Sequence, residues 1–372
     1  MMYLRYLAPL LDASGYASAS RGYVISCDRI GIKIQCRDRS RSINLFGKGI
    51  DQPILDMYER LSKTEVPHDC PTVQHTVADQ FYVDKRSSRS IGFTIFEMPR
   101  VPSSWVEPCN KMHEIWTGSE YSAEAFKNSG VTVPISVLPH AIDVDAFDKA
   151  EPWQIKNRRG FAFLSIMDLT DRKCWRELLR AYWTAFDNKD DVCLIFKAFF
   201  GSFNDSARGD IIRRIATYRE SLGFSSDRAP ILLYGHDVGN SDMPGLYKAA
   251  DCYVGISREG FGLSFAESMA AGIACIGPEV GGTRNFMNED NSFLVKYAGD
   301  KPISEEMVRL NPIFEGLTWA THSWEDLAAK MRLVVSDADL RKEKAYKGKK
   351  YLKEYLTYEH IGRRISSLLS VR

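Results

Sequence analysis

Residues 251–295 read DCYVGISREGFGLSFAESMAAGIACIGPEVGGTRNFMNEDNSFLV. The apolar run from Cys252 to Ile256 has the make-up of a buried strand, and Ser257, Arg258 and Glu259 follow it as a polar loop. Gly260, Phe261 and Gly262 then allow a sharp change of direction before a helix. Ser264 and Glu267 are spaced as a capping box, so the helix is expected to open at Ser264, and Gly272 supplies its stop. A second strand, Ala274 to Ile276, comes next. Strand, loop, helix and strand in this order make the repeating unit of a parallel α/β sheet. Glu259 therefore belongs to the loop and Glu267 to the first helical turn.

The alternation extends outward in both directions. Upstream, strands are expected at Gly160 to Ile166, Val192 to Ala198 and Ile231 to Tyr234. The first half repeats the pattern with strands at Tyr3 to Leu10, Ile32 to Cys36, Thr72 to His75, Ser90 to Ile95, Glu114 to Thr117 and Ile135 to Leu138. Helical spacing marks Ala17 to Ile30 and Ser122 to Ser129, the latter closed by Gly130. The turn-rich PHAIDVDAFDKAEPW, from Pro139 to Trp153, reads as the approach to a boundary near residue 150. The fold class implied is α/β with two doubly wound, Rossmann-like domains facing a cleft, residues 1–150 and 151–355. Leu327 to Val334 and Asp337 to Leu369 are helical by period, and the terminal helix, 356–372, is placed back against the first domain.

A chain of 372 residues fits two domains of ordinary size. With 44% hydrophobic and 26% charged residues, disorder and fibrous repeats are excluded. The net charge of +1 gives no whole-molecule argument for a nucleic acid or a membrane as partner. The eight cysteines show no C-x-x-C spacing, so packed, reduced thiols are expected in place of zinc sites or disulfides. In the opening MMYLRYLAPLLDASGYASAS, Pro9 and Asp12 cut short an apolar run that would otherwise suggest a leader. No run reaches the roughly 18 apolar residues of a membrane span, and a cytoplasmic location is expected.

The loop at 259–264 has a chemical consequence. A helix that starts after two glycines presents unpaired backbone N–H groups, which a diphosphate can approach closely. Glu259 beside it can accept hydrogen bonds from sugar hydroxyls but repels phosphate. A nucleotide sugar offers both kinds of group.

The nine residues EGFGLSFAE, Glu259 to Glu267, resemble the E-x7-E signature of retaining glycosyltransferases of the GT-B fold, family 4. The following AAGIACIGPEVGGT is similar to that family's continuation, as are LSIMDLTDRKCW, PHAIDVDAF, IGFTIFEMPRVPSSW and IWTGSEYSAEAFKNSGV elsewhere. The resemblance implies that Glu259 contacts the donor sugar and Glu267 the ribose, with Gly260, Phe261, Gly262, Leu263 and Ser264 lining sugar and pyrophosphate. It places Lys173 on the pyrophosphate. Five residues earlier the family has arginine where this chain has Asp168, and Arg172 is the candidate to compensate. Ser14, Gly15 and Tyr16 would form the loop that reaches over the cleft, and Tyr234, Gly235 and His236 would lie near the base.

The resemblance also implies an acidic residue at Glu97, and His75 and His140 join it as candidate acid–base groups by their near-neutral titration. Glu259, Lys173, Glu97 and His75 make up the candidate catalytic set. The donor would be a UDP- or GDP-sugar, and no further cofactor or metal is expected. Arg29, Lys33, Arg37, Arg39, Arg41 and Lys48 face one acid, Asp38, within residues 29–48, so a groove for a polyanionic acceptor, nucleic acid included, stands beside a solvated loop as the reading of that stretch. The acceptor stays open between glycan, lipid, protein and small molecule. Three alternatives remain: a transferase acting on modified DNA bases, a nucleotide-sugar epimerase, and a non-catalytic binding protein of the same fold.

Overall fold

The computed structural model describes residues 2–40, 50–200 and 205–371. The first half consists of β1 (Tyr3–Ala8), α1 (Gly15–Arg29), β2 (Lys33–Asp38), α2 (Gln52–Ser62), β3 (Thr72–His75), β4 (Ser90–Phe93), α3 (Ser103–Lys111), β5 (Glu114–Thr117), α4 (Glu120–Asn128), β6 (Ile135–Val137) and α5 (Val144–Lys149). Its six strands pair in parallel in the order β2-β1-β3-β4-β5-β6. Every residue of β3, β4 and β5 is buried, as strands covered on both faces must be.

The second half runs through β7 (Phe161–Asp168), α6 (Trp175–Ala185), β8 (Val192–Phe199), α7 (Asp205–Ser221), β9 (Ile231–Tyr234), α8 (Met243–Lys248), β10 (Cys252–Val254), α9 (Leu263–Ala271), β11 (Ala274–Pro278) and β12 (Phe293–Val295). These six strands are also parallel, in the order β12-β11-β10-β7-β8-β9. Sequence order reverses between β7 and β10. In open α/β sheets the crevice beyond the strand ends at such a reversal is where ligands bind, and the β7 and β10 loops carry the residues singled out above.

After β12 the chain departs from the simple alternation. An antiparallel hairpin, β13 (Tyr297–Pro302) and β14 (Thr318–His322), encloses α10 (Glu305–Leu310), and this arm was not legible from the hydrophobic pattern. Ile303 and Trp319 of the arm are buried in one apolar cluster with Phe96, Met98, Trp105 and Phe126 of the first half. The arm thus spans from the second sheet to the first.

Three helices complete the chain: α11 (Trp324–Ser336), α12 (Ala338–Tyr355) and α13 (Tyr358–Ser370). The helical stretch over Asp337 to Leu369 is interrupted at Leu356 and Thr357, where the separate terminal helix is expected to begin. Thr357 accepts from the His360 amide and caps a new helix, which leaves α13 free to pack on α1. Gly362 allows that contact, because a Cβ there would lie 3.0 Å from Ile30 and closer still to the Ser26 carbonyl. The segment that leaves the first half and the one that returns to it are tied together, the Ile142 amide donating to the Leu356 carbonyl at 2.8 Å. All eight cysteines are buried free thiols. Among the described residues no helix is long and apolar enough to cross a membrane.

Candidate functional site

Glu259 sits just beyond β10, facing the turn after β7. That turn is a short 3-10 segment, Asp171–Lys173, followed by Cys174 in a left-handed conformation with φ of 53°. A non-glycine residue rarely adopts this backbone. Here it swings the chain into α6 directly after Lys173, so that Arg172 and Lys173 point back over the strand ends. Lys173 Nζ lies 2.5 Å from one oxygen of Glu259, and Arg172 Nη1 lies 3.3 Å from the other. Burial raises the Glu259 carboxyl, but the charges of Lys173 and Arg172 outweigh it and hold the group at about 2.

Arg172 also reaches the first half, where its Nε is 3.2 Å from Glu97. Burial raises the Glu97 carboxyl and the Arg172 charge opposes that rise, leaving it above the ordinary range. Asp168, at the end of β7, accepts from the Thr170 hydroxyl at 2.7 Å and adds to the negative field that raises Arg172. Two cations and two carboxylates therefore converge between the sheets.

Downstream, Gly262 takes a φ of 100° and starts α9, whose first ladder bonds run from Phe265 and Ala266 to the Gly262 carbonyl. The N–H groups of Leu263 and Ser264 precede those bonds and lie on the side where an anion is favoured. The capping box expected at Ser264 and Glu267 does not form: the N-cap is Gly262, two residues earlier, with no capping side chain, and the helix runs from Leu263. Glu267 turns instead to Tyr247, which donates to it at 2.7 Å. Burial raises the Glu267 carboxyl to about 7 against the effect of that bond.

The loop is clasped by the first half. Ser119, the N-cap of α4, donates to the Gly260 carbonyl at 2.5 Å, and the Phe261 ring lies 4.4 Å from the His140 ring. A Cβ on Gly260 would come within 3.0 Å of Ile95, so glycine is what permits this approach. From behind, the Gly282 amide donates to the Glu259 carbonyl at 2.8 Å, and a Cβ on Gly282 would collide with the Gly260 carbonyl. Ser119 and Gly282 hold the loop; both lie in segments that carry the family resemblance, but neither is among the candidate site residues.

The other sequence candidates fall in different places. His75 is 1% exposed, accepts or donates with Tyr6 and Ser20 hydroxyls through Nδ1, and stacks on Phe93. Burial, with the neighbouring His140, depresses its titration far below the usual range. His140 is likewise enclosed, 2.5 Å from the Tyr23 hydroxyl, and burial lowers it to about 3. Both rings are neutral members of the first core, which corrects the expectation that their titration suits them to acid–base work. Ser14 caps α1, Gly15 is exposed, and the Tyr16 hydroxyl lies 2.9 Å from that of Thr94. Ser14 and Tyr16 line a pocket of about 210 Å³ with Asp12, Arg39 and Thr76, at the β1/β3 reversal of the first sheet. Tyr234 ends β9, Gly235 follows it buried, and His236 beyond is exposed.

The basic residues of the stretch 29–48 that are described divide between separate elements. Arg29 is drawn to α13, pairing with Glu359 at 2.8 Å and covering the Tyr358 ring. Lys33 and Arg37 occupy opposite ends of β2, and Arg39 reaches Tyr82. Arg41 and Lys48 lie outside the described residues. Among the described residues no group of three or more His, Cys, Asp and Glu side chains is placed to hold a metal ion.

Comparisons with known proteins add the following. Residues 214–311, which include the loop and α9, match the model of the family described as glycosyl transferases group 1. HepE of Anabaena, solved with UDP and glucose, is 13% identical over 100% of both chains with a TM-score of 0.66. A sucrose-phosphate synthase from Thermosynechococcus elongatus is 12% identical over 99% of this chain and 98% of that one, with a TM-score of 0.67. The trehalose-6-phosphate synthase OtsA is 12% identical over 100% of this chain and 99% of that one, with a TM-score of 0.67. Comparison with curated protein sequences found no match.

Proposed function

We propose, from the likeness of the fold to GT-B structures and the match of residues 214–311 to the glycosyl transferases group 1 model, that this chain is a glycosyltransferase that moves a sugar from a nucleotide sugar to an acceptor with retention of anomeric configuration. The observation that carries this reading is the convergence of Lys173, Arg172 and the α9 N-terminus on Glu259 at the β7/β10 reversal. Cations beside free amides suit a diphosphate, and the carboxylate among them suits sugar hydroxyls.

In this reading the diphosphate takes Lys173 and Arg172 from Glu259, and the freed carboxylate accepts from the donor sugar. As the bond between the anomeric carbon and phosphate breaks, negative charge grows on the diphosphate. Lys173, Arg172 and the amides of Leu263 and Ser264 stabilise that charge. The acceptor hydroxyl forms the new bond from the same face and gives its proton to the departing phosphate oxygen. Arg172 stands in for the cation that Asp168 lacks. Glu267 meets the ribose, and the Tyr234–His236 segment meets the base. UDP-sugars are the first donors to test, since the HepE structures hold UDP and UDP-glucose. The acceptor enters from the first half, beside the pocket at Ser14 and Tyr16.

The test is a thermal-shift and turnover screen with UDP-, GDP-, dTDP- and CDP-sugars, with and without EDTA. Stabilisation by one nucleotide with slow, EDTA-insensitive release of its diphosphate is expected. Stabilisation without release would favour the non-catalytic alternative, and no response to any donor overturns the reading.

A further inference from the structure

We infer that Arg258 is a positioning residue: it fastens the loop bearing Arg172 and Lys173 to the β13–β14 hairpin, and so fixes where the two cations meet the donor diphosphate. What the cations bind rests on the transferase reading above, whereas the fastening itself does not.

Arg258 is 6% exposed. Its Nη1 donates to the Asp171 carbonyl at 2.7 Å, and its Nε donates to the Ala320 carbonyl on β14 at 2.6 Å. Its guanidinium carbon lies 4.1 Å from the centre of the Trp319 ring. The backbone adds a second tie, with the Arg258 amide donating to the Arg172 carbonyl at 3.0 Å and Arg172 Nη1 donating to the Arg258 carbonyl at 2.8 Å. Among the described residues Arg258 forms no ion pair with a carboxylate. Enclosing a cation without a counter-ion is costly, and here two carbonyl dipoles and an aromatic face offset that cost. The planar fork of arginine reaches two carbonyls on separate elements while lying flat on a ring; a lysine ammonium is a compact point donor on a flexible stem and does not reproduce that flat, two-armed geometry.

The consequence reaches the first half. Trp319 is buried with Phe96 and Trp105, and Arg172 pairs with Glu97, one residue beyond Phe96. Arg258 therefore joins two points at which the first half touches the second. When the arm is seated, the loop that bears the cations is seated with it.

Three variants test this: Arg258→Met, Arg258→Lys and Trp319→Leu. Amide exchange in the ligand-free protein reports the fastening, and the ratio of UDP to uridine affinity reports the cations. Arg258→Met is expected to speed exchange over residues 168–175 at least about tenfold, and to weaken UDP about tenfold while leaving uridine unchanged. Arg258→Lys is expected to restore neither fully, and Trp319→Leu to speed exchange over the same peptide. Unchanged exchange at 168–175 overturns the inference, as does full rescue by lysine or an equal loss of UDP and uridine affinity. Should Arg258→Met fail to fold, Arg258→Lys carries the same two readouts. If the unaltered protein binds no UDP, the transferase reading falls and the exchange result alone decides the role of Arg258.

Discussion

Lys173 and Glu259 come from loops 86 residues apart in sequence and meet at 2.5 Å, ammonium to carboxylate, at the reversal point of the second sheet. Without a donor the carboxylate serves as counter-ion to the groups that the proposed reaction needs for phosphate. Donor binding is then an exchange of partners, and each member of the cluster has a distinct signature.

Glu259→Ala should abolish transfer, with a loss of at least about a hundredfold, because it removes the acceptor of the donor sugar's hydroxyls. UDP binding should survive or tighten, since Lys173 and Arg172 lose their internal competitor. Single-turnover assays beside calorimetric titration separate the two effects. Normal transfer by this variant would remove Glu259 from the mechanism.

Lys173→Ala should weaken UDP at least about tenfold. It also has a pH signature. The Glu259 carboxyl is depressed to about 2, below its unfolded value, so its contribution to stability is present above the unfolded value and is lost as pH falls towards 2. The variant lacks the main charge behind that depression, so its melting temperature should fall less steeply with acid than that of the unaltered protein. Parallel acid profiles would contradict the pairing.

Glu267 predicts the opposite slope. Its carboxyl is raised to about 7, so the folded protein binds the proton more tightly than the unfolded chain, and stability declines as pH rises from the unfolded value through 7. Glu267→Gln should melt at higher temperature than the unaltered protein at pH 8, and the difference should vanish near pH 4. Nucleotide binding by this variant tests the ribose contact separately.

Glu97→Gln removes the first-half partner of Arg172 without removing bulk. Freed from that pair, Arg172 should bind UDP roughly three- to tenfold more tightly, since the pair is only partly exposed and its loss is worth on the order of 1 kcal/mol. Transfer should fall at the same time. A titration showing weaker UDP binding would mean that Glu97 orients Arg172 and does not compete for it.

Gly282→Ala tests the rear support of the loop. The added methyl overlaps the Gly260 carbonyl, and relief requires residues 259–262 to shift. A displacement near 1 Å at reacting groups costs about a hundredfold in rate, so turnover should drop by at least that order, and the melting temperature should fall as well because the overlap is with buried backbone. An active variant would show that the loop tolerates more freedom than its packing suggests.

Much of the fold was legible because parallel strands buried on both faces write continuous apolar runs. Phe161–Asp168 and Val192–Phe199 fall within two residues of where the runs place them. The pairing of Glu259 with Lys173 was not legible, since spacing along the chain says nothing about which loops meet across a strand reversal. The capping box misled because Ser264 and Glu267 have the right separation, but Gly262 in its left-handed conformation already opens the helix. His75 and His140 misled for a related reason: a histidine at a strand end looks accessible until Tyr6, Tyr23 and Phe93 close around it. The arm at 297–322 was missed because β13 is largely exposed and the apolar residues that hold it belong to the other half of the chain.

The bond between Ile142 and Leu356 brings the two chain crossings together at one place. Two tethers joined there permit swinging more readily than drifting, so each half remains at high effective concentration for the other. Any closure over the donor of the proposed reaction would then be unimolecular and independent of protein concentration. Little translational freedom would remain for such a movement to lose.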